Sequence, residues 1–335
     1  MEVRKVEWGK EHFSSFFEVP QTLGQRDNDL EKKQLSPTNL FFDHAEGCGF
    51  MAYEEGIFKG RVFASLDHNL HQKEGQIVGH IGYFCFSDKD TCLDLLEKAE
   101  HWLKDKGATH VHGPMNLNII NGYRLQMSGF ETTPFPGEPR NPSFYKDYLH
   151  EAGHREISTW STWDVSPQFI KLKIDHSKKI CRHHSIEGMK VRPANILKLE
   201  EELANIYECA LEAFVDNYGM AKISEREFIQ SLMHLKPLMA DEFFYLIEED
   251  NGNIGGFFMG YKDDPHHPSR LIFHTMALKK RWQKTIAPYL VALPLCQAAH
   301  QRNLPGIGAL AKKGRTTFDG LNAPDRTYSM FSKKL

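Results

Sequence analysis

The pattern of strands and helices that the amino-acid sequence predicts occurs twice along the 335 residues, and this internal repeat constrains the fold more than any other feature. A chain of this length exceeds what one hydrophobic core usually organises, so two units of about 150 residues are expected. We predict two similar α/β domains, each with a mixed, mostly antiparallel sheet flanked by helices. Their predicted bounds are 1–165 and 187–335, joined by a linker over 166–186.

In the first half, the segment GFMAYEEGIFKGRVFASLD has two extended runs about Glu54-Glu55-Gly56, which predicts a β-hairpin. A third strand is predicted in QIVGHIGYFCFS. Asp90 is the predicted N-cap of the helix TCLDLLEKAEHWLKDKG, which Gly107 ends. The strand ATHVHGPMN, a loop over 113–142, the helix PSFYKDYLHEAG and the strand HREISTWSTWDV complete this half.

The second half follows the same order. A strand near residues 187–193 precedes the amphipathic helix that begins with ANILKLEEEL. A second helix opens with Ser224 and Glu227 in capping-box spacing. A hairpin turning at 250–253, the strand SRLIFHTMAL, a proline-containing helix and the final strand DRTYSMFSKKL follow.

Composition narrows the class of protein. With 41% hydrophobic, 25% charged and 12% aromatic residues, the chain is typical of globular proteins and unlike disordered, collagenous or coiled-coil sequences. No apolar run reaches the roughly 20 residues of a membrane span, and the charged start lacks the apolar stretch of a signal peptide. Six widely spaced cysteines without a C-x-x-C pair favour reduced thiols over disulfides or a zinc site. We therefore expect a cytoplasmic protein with neither a bound metal nor a membrane partner.

Charge is distributed unevenly along the chain. The formal net charge is −3, but residues 262–335 carry thirteen Lys and Arg against four Asp, a net of +9 that leaves −12 for residues 1–261. A basic region of this kind suits a phosphorylated cofactor, nucleic acid, an acidic carrier protein or the acidic remainder of the same chain.

Several stretches resemble a known family. They are GRVFASLDHN, the run from IGYFCFSDKD to HGPMNLN, and NPSFYKDYLHEAG in the first half, and AFVDNYG, ISEREFIQSLMHLKPLM and RTYSMFSKKL in the second. Together with the element order they resemble the GNAT (Gcn5-related N-acetyltransferase) fold, present in tandem across nearly the whole chain. The resemblance implies an acyltransferase that uses acyl-CoA as its co-substrate.

The resemblance also implies where the acyl donor binds. In the segment IFHTMALKKRWQKTIAPYL, Met276 and Leu278 would offer backbone groups to pantetheine. The following turn and helix start would surround the phosphates with Arg281, Gln283, Lys284, Thr285 and Ala287. This turn departs from the family pattern Q/R-x-x-G-x-G/A, because Trp282 and Thr285 replace two of its residues. A solvated basic helix start is the alternative interpretation.

The corresponding segment of the first half, FSDKDTCLD, has no glycine and carries three aspartates, which would repel a pyrophosphate. We therefore predict that only the C-terminal half binds the donor, and that the N-terminal half is degenerate or serves the acceptor.

Two side chains are candidates for proton transfer. Tyr148 matches, by its spacing from Asn141, the helix tyrosine that protonates the departing thiolate in the family, and Tyr145 lies one helical turn earlier as a candidate substrate contact. His274 on the donor strand is a candidate base, because imidazole titrates near neutrality. The alternatives are aromatic packing for both tyrosines and a core or rim position for the histidine.

The loop over residues 113–142 is unusually long for a compact domain, and such loops commonly bind ligands. Its candidate substrate contacts are Asn116, Asn118, Asn121 and Arg124, the last suited to a carboxylate or phosphate. A structural lid over the sheet is the alternative.

The leading hypothesis is an N-acyltransferase that moves an acyl group from acyl-CoA directly to a small-molecule amine. A second hypothesis takes the acyl group from a larger anionic donor, either acyl carrier protein or aminoacyl-tRNA. A third is a non-catalytic ligand-binding protein, suggested by the lost glycine signature in both halves.

Overall fold

A computed structural model of the chain describes residues 1–9, 11–23, 29–70, 75–182, 187–312, 321 and 323–335. The first half contains strands β1 (Glu2–Glu7), β2 (Ala45–Glu54), β3 (Ile57–Asp67), β4 (Val78–Phe86), β5 (His110–Gly113), β6 (Leu125–Gln126) and β7 (Arg155–Val165). Its helices are α1 (Val19–Thr22), α2 (Asp29–Gln34), α3 (Lys89–Asp105), α4 (Tyr145–Glu151) and α5 (Pro167–Cys181).

The second half contains strands β8 (Met189–Pro193), β9 (Phe244–Glu249), β10 (Ile254–Lys262), β11 (Leu271–Leu278), β12 (Gly306–Lys312) and β13 (Arg326–Lys334). Its helices are α6 (Leu199–Phe214), α7 (Glu225–Leu232) and α8 (Ala287–Gln301). Short 3₁₀ turns lie at Glu11–Phe17, Leu40–Asp43, Ile196–Lys198, Met233–Leu238, Asp241–Phe243 and Lys280–Trp282.

One continuous sheet runs through both halves, in the order β1-β2-β3-β4-β5-β13-β7-β12-β11-β10-β9-β8, with β6 paired to β13. Among the strands that the structure describes, only β4–β5 and β11–β12 are parallel pairs. The two halves exchange their last strands. Strand β13 of the second half lies between β5 and β7 of the first, and β7 of the first half pairs with β12 of the second. The predicted class, a mixed and mostly antiparallel sheet with flanking helices, is confirmed, and the two repeats share that sheet.

Helices cover both faces of the sheet because neighbouring strand residues point to opposite sides. Ile272 of β11 packs in the core under α6 and α7, whereas Phe273 packs under α5 and α8. In the first half, α3 and α4 cover one face, and the described residues of 13–23 and 29–41 cover the other. Glu227 of α7 hydrogen-bonds His44 beside these residues. The α6 face of the second half is therefore continuous with the α1–α2 face of the first.

Local sequence signals account for most elements. The two predicted hairpins, β2–β3 and β9–β10, are confirmed by their registers. The N-cap at Ser224 is confirmed, because its hydroxyl accepts a hydrogen bond from the amide of Glu227 at 3.2 Å. The predicted cap at Asp90 is wrong. Asp88 caps α3 instead, accepting from the amide of Thr91 at 2.8 Å, since the helix begins two residues earlier than predicted.

Two segments differ from the sequence-based prediction. Most of the region taken as a linker, 166–186, forms α5, which packs on α8 through Ile170 and Ile174; residues 183–186 of that region lie outside the described residues. Strand β12 was not predicted, because GIGALAK has two glycines and no clear polar alternation. It lies in the interior of the sheet, between β7 and β11, where neighbouring strands supply the hydrogen bonds.

Candidate functional site

Two clefts form where parallel neighbours diverge. The β4–β5 pairing ends at His80 and His112, and the β11–β12 pairing ends at Phe273 and Gly308. Beyond these points β4 and β11 continue without a parallel partner. Each also has a register shift against its antiparallel neighbour just past the fork. The two clefts therefore have the same backbone plan and can be compared residue by residue.

In the N-terminal cleft, the chain's own residues occupy the edge of β4. The amide of Tyr83 donates to Oδ1 of Asn116 at 2.8 Å, and the amide of Met115 donates to the carbonyl of Ile81 at 2.8 Å. The amide of Phe86 donates to the hydroxyl of Tyr145 at 2.7 Å. Each of these contacts uses a group that would otherwise be available to a ligand threading the cleft.

Both tyrosines of α4 lie beside this filled cleft. Tyr145 is only 2% exposed, and its hydroxyl also contacts the carbonyl of Phe86 at 3.4 Å, so packing accounts for its position. Tyr148 is half-buried, with its ring 5.1 Å from that of Phe144. The structure thus places these two candidates next to each other, and apart from His274 of the second half.

The C-terminal cleft opens onto a cavity of about 490 Å³ between α5, α8 and the sheet. Its walls are mostly apolar and include Met276 of the open strand, with Gln283, Lys284 and Thr285 of the following turn at one end. The remaining lining residues are Val165, Phe169, Ile170, Lys173, His176, Ser177, Phe258, Phe273, Pro288, Tyr289, Ala292 and Cys296. The cavity has the size and lining typical of small-molecule sites.

The turn between β11 and α8 is ordered by its own contacts. Gln283 donates to the carbonyl of Leu278 at 3.0 Å, and the Thr285 hydroxyl accepts from the amide of Ala287 at 3.1 Å. Arg281, whose side chain is 57% exposed, is paired with Glu249. Lys284 is exposed and makes no ion pair within the described part of the chain. Lys284 is therefore the cation of this turn best placed to meet an anion.

The other two predicted donor contacts are inside the protein. Leu278 is 7% exposed and Ala287 is fully buried, so only their backbone groups are available. This agrees with the backbone role that the family resemblance implies for Leu278. The amide of Ala287 is already engaged by Thr285, which weakens the anion site that the helix start would otherwise provide.

His274 lies at the fork of the open cleft, and its ring is 5.2 Å from that of Tyr261 in the core under α6. Its Nδ1 is 2.7 Å from the hydroxyl of Thr275. Burial, and then the positive charges of Arg124 and His234, lower the pKa of His274 to about 4. The imidazole is therefore neutral at pH 7, as a proton acceptor must be.

Among the loop candidates, Arg124 lies close enough to His274 for its charge to lower the pKa of that imidazole. Its guanidinium carbon lies 3.7 Å from the ring centre of Tyr123 and 4.6 Å from that of Trp160. The Nη2 group donates to the hydroxyl of Tyr123, while Nε is buried and has no hydrogen-bond partner among the described residues. No carboxylate within the described ranges forms an ion pair with it.

The three asparagines of the loop mainly shape the loop itself. Oδ1 of Asn118 accepts from the amides of Ile120 and Asn121 at 3.0 and 3.1 Å. The carbonyl of Asn121 accepts from Gln34 at 2.8 Å, and Asn116 serves β4 as described above. The amide nitrogens Nδ2 of Asn118 and Asn121 are buried without a described partner. The asparagines thus order the loop and tie it to Gln34 and β4.

Sequence reasoning missed the residues that α5 and β7 contribute, chiefly Phe169, Lys173 and Trp160. A signal was present: Ser166 followed by Pro167 is a strong helix start, and Ile170, Ile174 and Ser177 recur at helical spacing. No local signal could place Trp160 beside Arg124, because that contact depends on how β7 sits in the shared sheet.

Comparison with solved structures identifies the fold. The chain superposes on a tandem GNAT protein from the clavulanic acid biosynthesis pathway with a TM-score of 0.55, at 9% identity, covering 99% of this chain and 98% of that one. A GNAT protein from Anabaena variabilis superposes with a TM-score of 0.56, at 10% identity, covering 99% of this chain and 73% of that one. The chain therefore has the GNAT fold.

No family model matches the sequence. Among curated proteins, the chain is 27% identical to Protein YghO of Escherichia coli, over 72% of this chain and 64% of that protein. It is also 27% identical to the bacterial ceramide synthase of Caulobacter vibrioides, over 72% of this chain and 65% of that protein. The matches thus span slightly less than two thirds of these relatives.

Within the described ranges, no helix combines the length and apolarity needed to cross a bilayer. The same residues contain no group of three or more His, Cys, Asp or Glu side chains arranged to hold a metal ion.

Proposed function

We propose that the protein is a GNAT-type N-acyltransferase that moves an acyl group from acyl-CoA to the amine of a small molecule. The observation that carries this proposal is the cavity of about 490 Å³ beside the open edge of β11. The GNAT fold supports an acyltransferase in general. The relative named as a ceramide synthase supports amide formation, since a ceramide is the amide of a long-chain amino alcohol.

In this proposal the donor lies along β11. The backbone of Met276 and Leu278 pairs with the pantetheine arm, the apolar walls formed by α5 and α8 enclose it, and Lys284 meets the phosphates. The chemistry of these residues fits such a co-substrate, because a strand edge without a neighbouring parallel strand, an apolar slot and a free cation follow one another, and Gln283 would give up its hydrogen bond to the carbonyl of Leu278.

The reaction needs no covalent enzyme intermediate. The amine nitrogen attacks the thioester carbonyl carbon, the carbon–sulfur bond breaks, and the sulfur leaves as a thiolate that takes up the proton lost by the amine, giving the thiol of CoA. The proton lost by the amine passes to His274, directly or through water, because the neutral imidazole lies at the fork where the strands part. Tyr148 is not used, since it lies beside the filled cleft.

The test is a titration of the protein with acyl-CoA, followed by assay of thiol release with a panel of amines. We expect saturable binding that Lys284→Glu weakens about tenfold or more. Lys89→Glu, at the matching helix start of the first half, is the control and should bind like the wild type. No binding by the wild type up to about 1 mM acyl-CoA would reject the proposal. Binding without thiol release would favour the non-catalytic alternative.

A second candidate is an acyltransferase whose donor is carried by an acidic protein or by tRNA. It is favoured by α5, which borders the cavity and presents Lys171, Lys178 and Lys179 to solvent. Binding to a large anionic donor should weaken steeply with salt, and free CoA should not compete with it. Competition by free CoA would instead favour the first proposal.

A further inference from the structure

The surroundings of Arg124 are unusual for a buried cation. Buried arginines are normally paired with a carboxylate, because an unpaired charge inside a protein is costly. Arg61 and Arg326 of this chain follow that rule, binding Glu31 and Glu138 respectively. Arg124 has only the rings of Tyr123 and Trp160 and one tyrosine hydroxyl, and its Nε is buried without a described partner.

The nearby titratable groups add no negative charge. The pKa of Arg124 is lowered by burial, and the groups that oppose this effect are Tyr123 and Tyr328 rather than a carboxylate. The pKa values of His274 and His234 are both lowered by burial, which favours their neutral forms. The positive charge here is therefore that of Arg124, which lacks a counter-ion within the described part of the chain.

The backbone also holds Arg124 in an uncommon conformation. Its φ is +91°, in the region that residues other than glycine rarely adopt. The rings of Tyr123 and Trp160 are nearly perpendicular and their centres lie 5.3 Å apart, so they border the guanidinium on adjacent sides. The Nε–H group, which has no described partner, can therefore join a neighbouring N–H group in a two-point contact with a planar oxyanion. A carboxylate fits that geometry better than a neutral group.

We propose that Arg124 forms a carboxylate-binding site at the acceptor side of the cleft, so that the acceptor is an amine that also carries a carboxylate. The identification of the ligand as an acyl acceptor rests on the proposed function. The site itself is defined by Arg124, Tyr123 and Trp160. The cavity lies on the α5–α8 face, whereas the ring of His274 lies by Tyr261 in the core under α6, close enough to Arg124 for that charge to lower the pKa of the imidazole. The two substrates would therefore reach the fork from opposite faces.

The experiment measures anion binding without any acyl donor, so its result does not depend on whether the protein is an acyltransferase. Thermal unfolding is followed while sodium acetate replaces sodium chloride at constant ionic strength. We expect acetate to raise the Tm of the wild type saturably by about 1–3 °C. Arg124→Met should abolish the rise. Arg140→Met, which removes a cation of the same loop whose side chain binds backbone carbonyls, should retain it.

Three outcomes would overturn the proposal. They are an unresponsive wild type, an equal rise in Arg124→Met, and a rise that saturates at lower concentration with inorganic phosphate than with acetate, which would indicate a phosphoryl group instead. If Arg124→Met does not fold, Arg124→Lys is the second variant. It retains the charge but loses the planar fork, and a half-saturating acetate concentration equal to that of the wild type would also overturn the assignment.

Discussion

The two clefts share a backbone plan and differ in what lies along the edge of the strand. Beside β4, Asn116 and Tyr145 take up backbone amides, and Met115 binds a carbonyl. Beside β11, a cavity remains between α5 and α8. Both copies have the strand topology of a ligand-binding cleft. The difference between a filled and an open cleft therefore comes from the side chains of Asn116 and Tyr145 and from the backbone of Met115.

The largest expected effect comes from closing the open cleft. Ala292 is half-buried on α8 and lines the cavity, so Ala292→Phe should fill it. We expect acyl-CoA to bind about 30-fold more weakly or worse, equivalent to about 2 kcal/mol of binding free energy. Isothermal titration would measure this, with thermal unfolding as the control for folding. Unchanged affinity in a folded variant would show that the donor does not use the cavity.

A substitution in the filled cleft beside β4 should change the stability of the protein and leave its affinity for acyl-CoA unchanged. Tyr145→Phe removes the hydroxyl that accepts from the amide of Phe86 and leaves that amide buried without its partner. We expect the free energy of unfolding to fall by about 1–3 kcal/mol, as for other buried donors that lose their acceptor. Urea denaturation would measure it. A loss of acyl-CoA binding at the same time would mean that this half also takes part in donor binding.

A smaller effect is expected where the two halves touch through His44. This imidazole lies 2.9 Å from Asp67 and 2.9 Å from Glu227 of α7. Burial alone would lower its pKa, but the two carboxylates more than offset this and raise it. The pKa of Glu227 is also raised, chiefly by burial. Both groups therefore bind protons more tightly in the folded protein than in the unfolded chain.

The sign of the pH dependence follows from these directions. The contribution of His44 is fully present below its unfolded pKa of about 6.5 and is lost as the pH rises through the higher folded value. The contribution of Glu227 is likewise lost on going above pH 4.5. The lowered pKa values of His80, His234 and His274 act in the opposite sense, so the test compares wild type with His44→Gln by urea denaturation at each pH. The contribution of His44, measured as the stability of the wild type minus that of the variant, should decrease from pH 6 to pH 8. An increase of that difference over this range would contradict the assignment.

Local patterns predicted much of the fold. The hairpin about Glu55 and Gly56 and the helix start at Ser224 follow from neighbouring residues alone. The insertion of β13 between β5 and β7 does not, because strand partners far apart in sequence leave no local periodicity. Strand β7 lies beside β12 in the shared sheet, so α5, which follows β7, packs on α8 and lines the cavity. The sequence pattern had predicted a linker there.

The site was predictable to a similar extent. Met276, Gln283, Lys284 and Thr285 lie on one cavity, as their positions in the turn suggested. The stacking of Arg124 on Trp160 could not be predicted, because it joins a loop to a strand that the exchange of strands brings together. The pairing of Arg281 with Glu249 was equally hidden, since β9 and the turn after β11 are distant in sequence.

The central claim is that the acyl donor binds beside β11 and not beside β4, and amide hydrogen exchange with and without acyl-CoA tests it most directly. We expect protection of residues 274–290 and of α5, with exchange of residues 81–95 unchanged. Protection of residues 81–95, or no change in residues 274–290 at a saturating concentration of acyl-CoA, would contradict the claim.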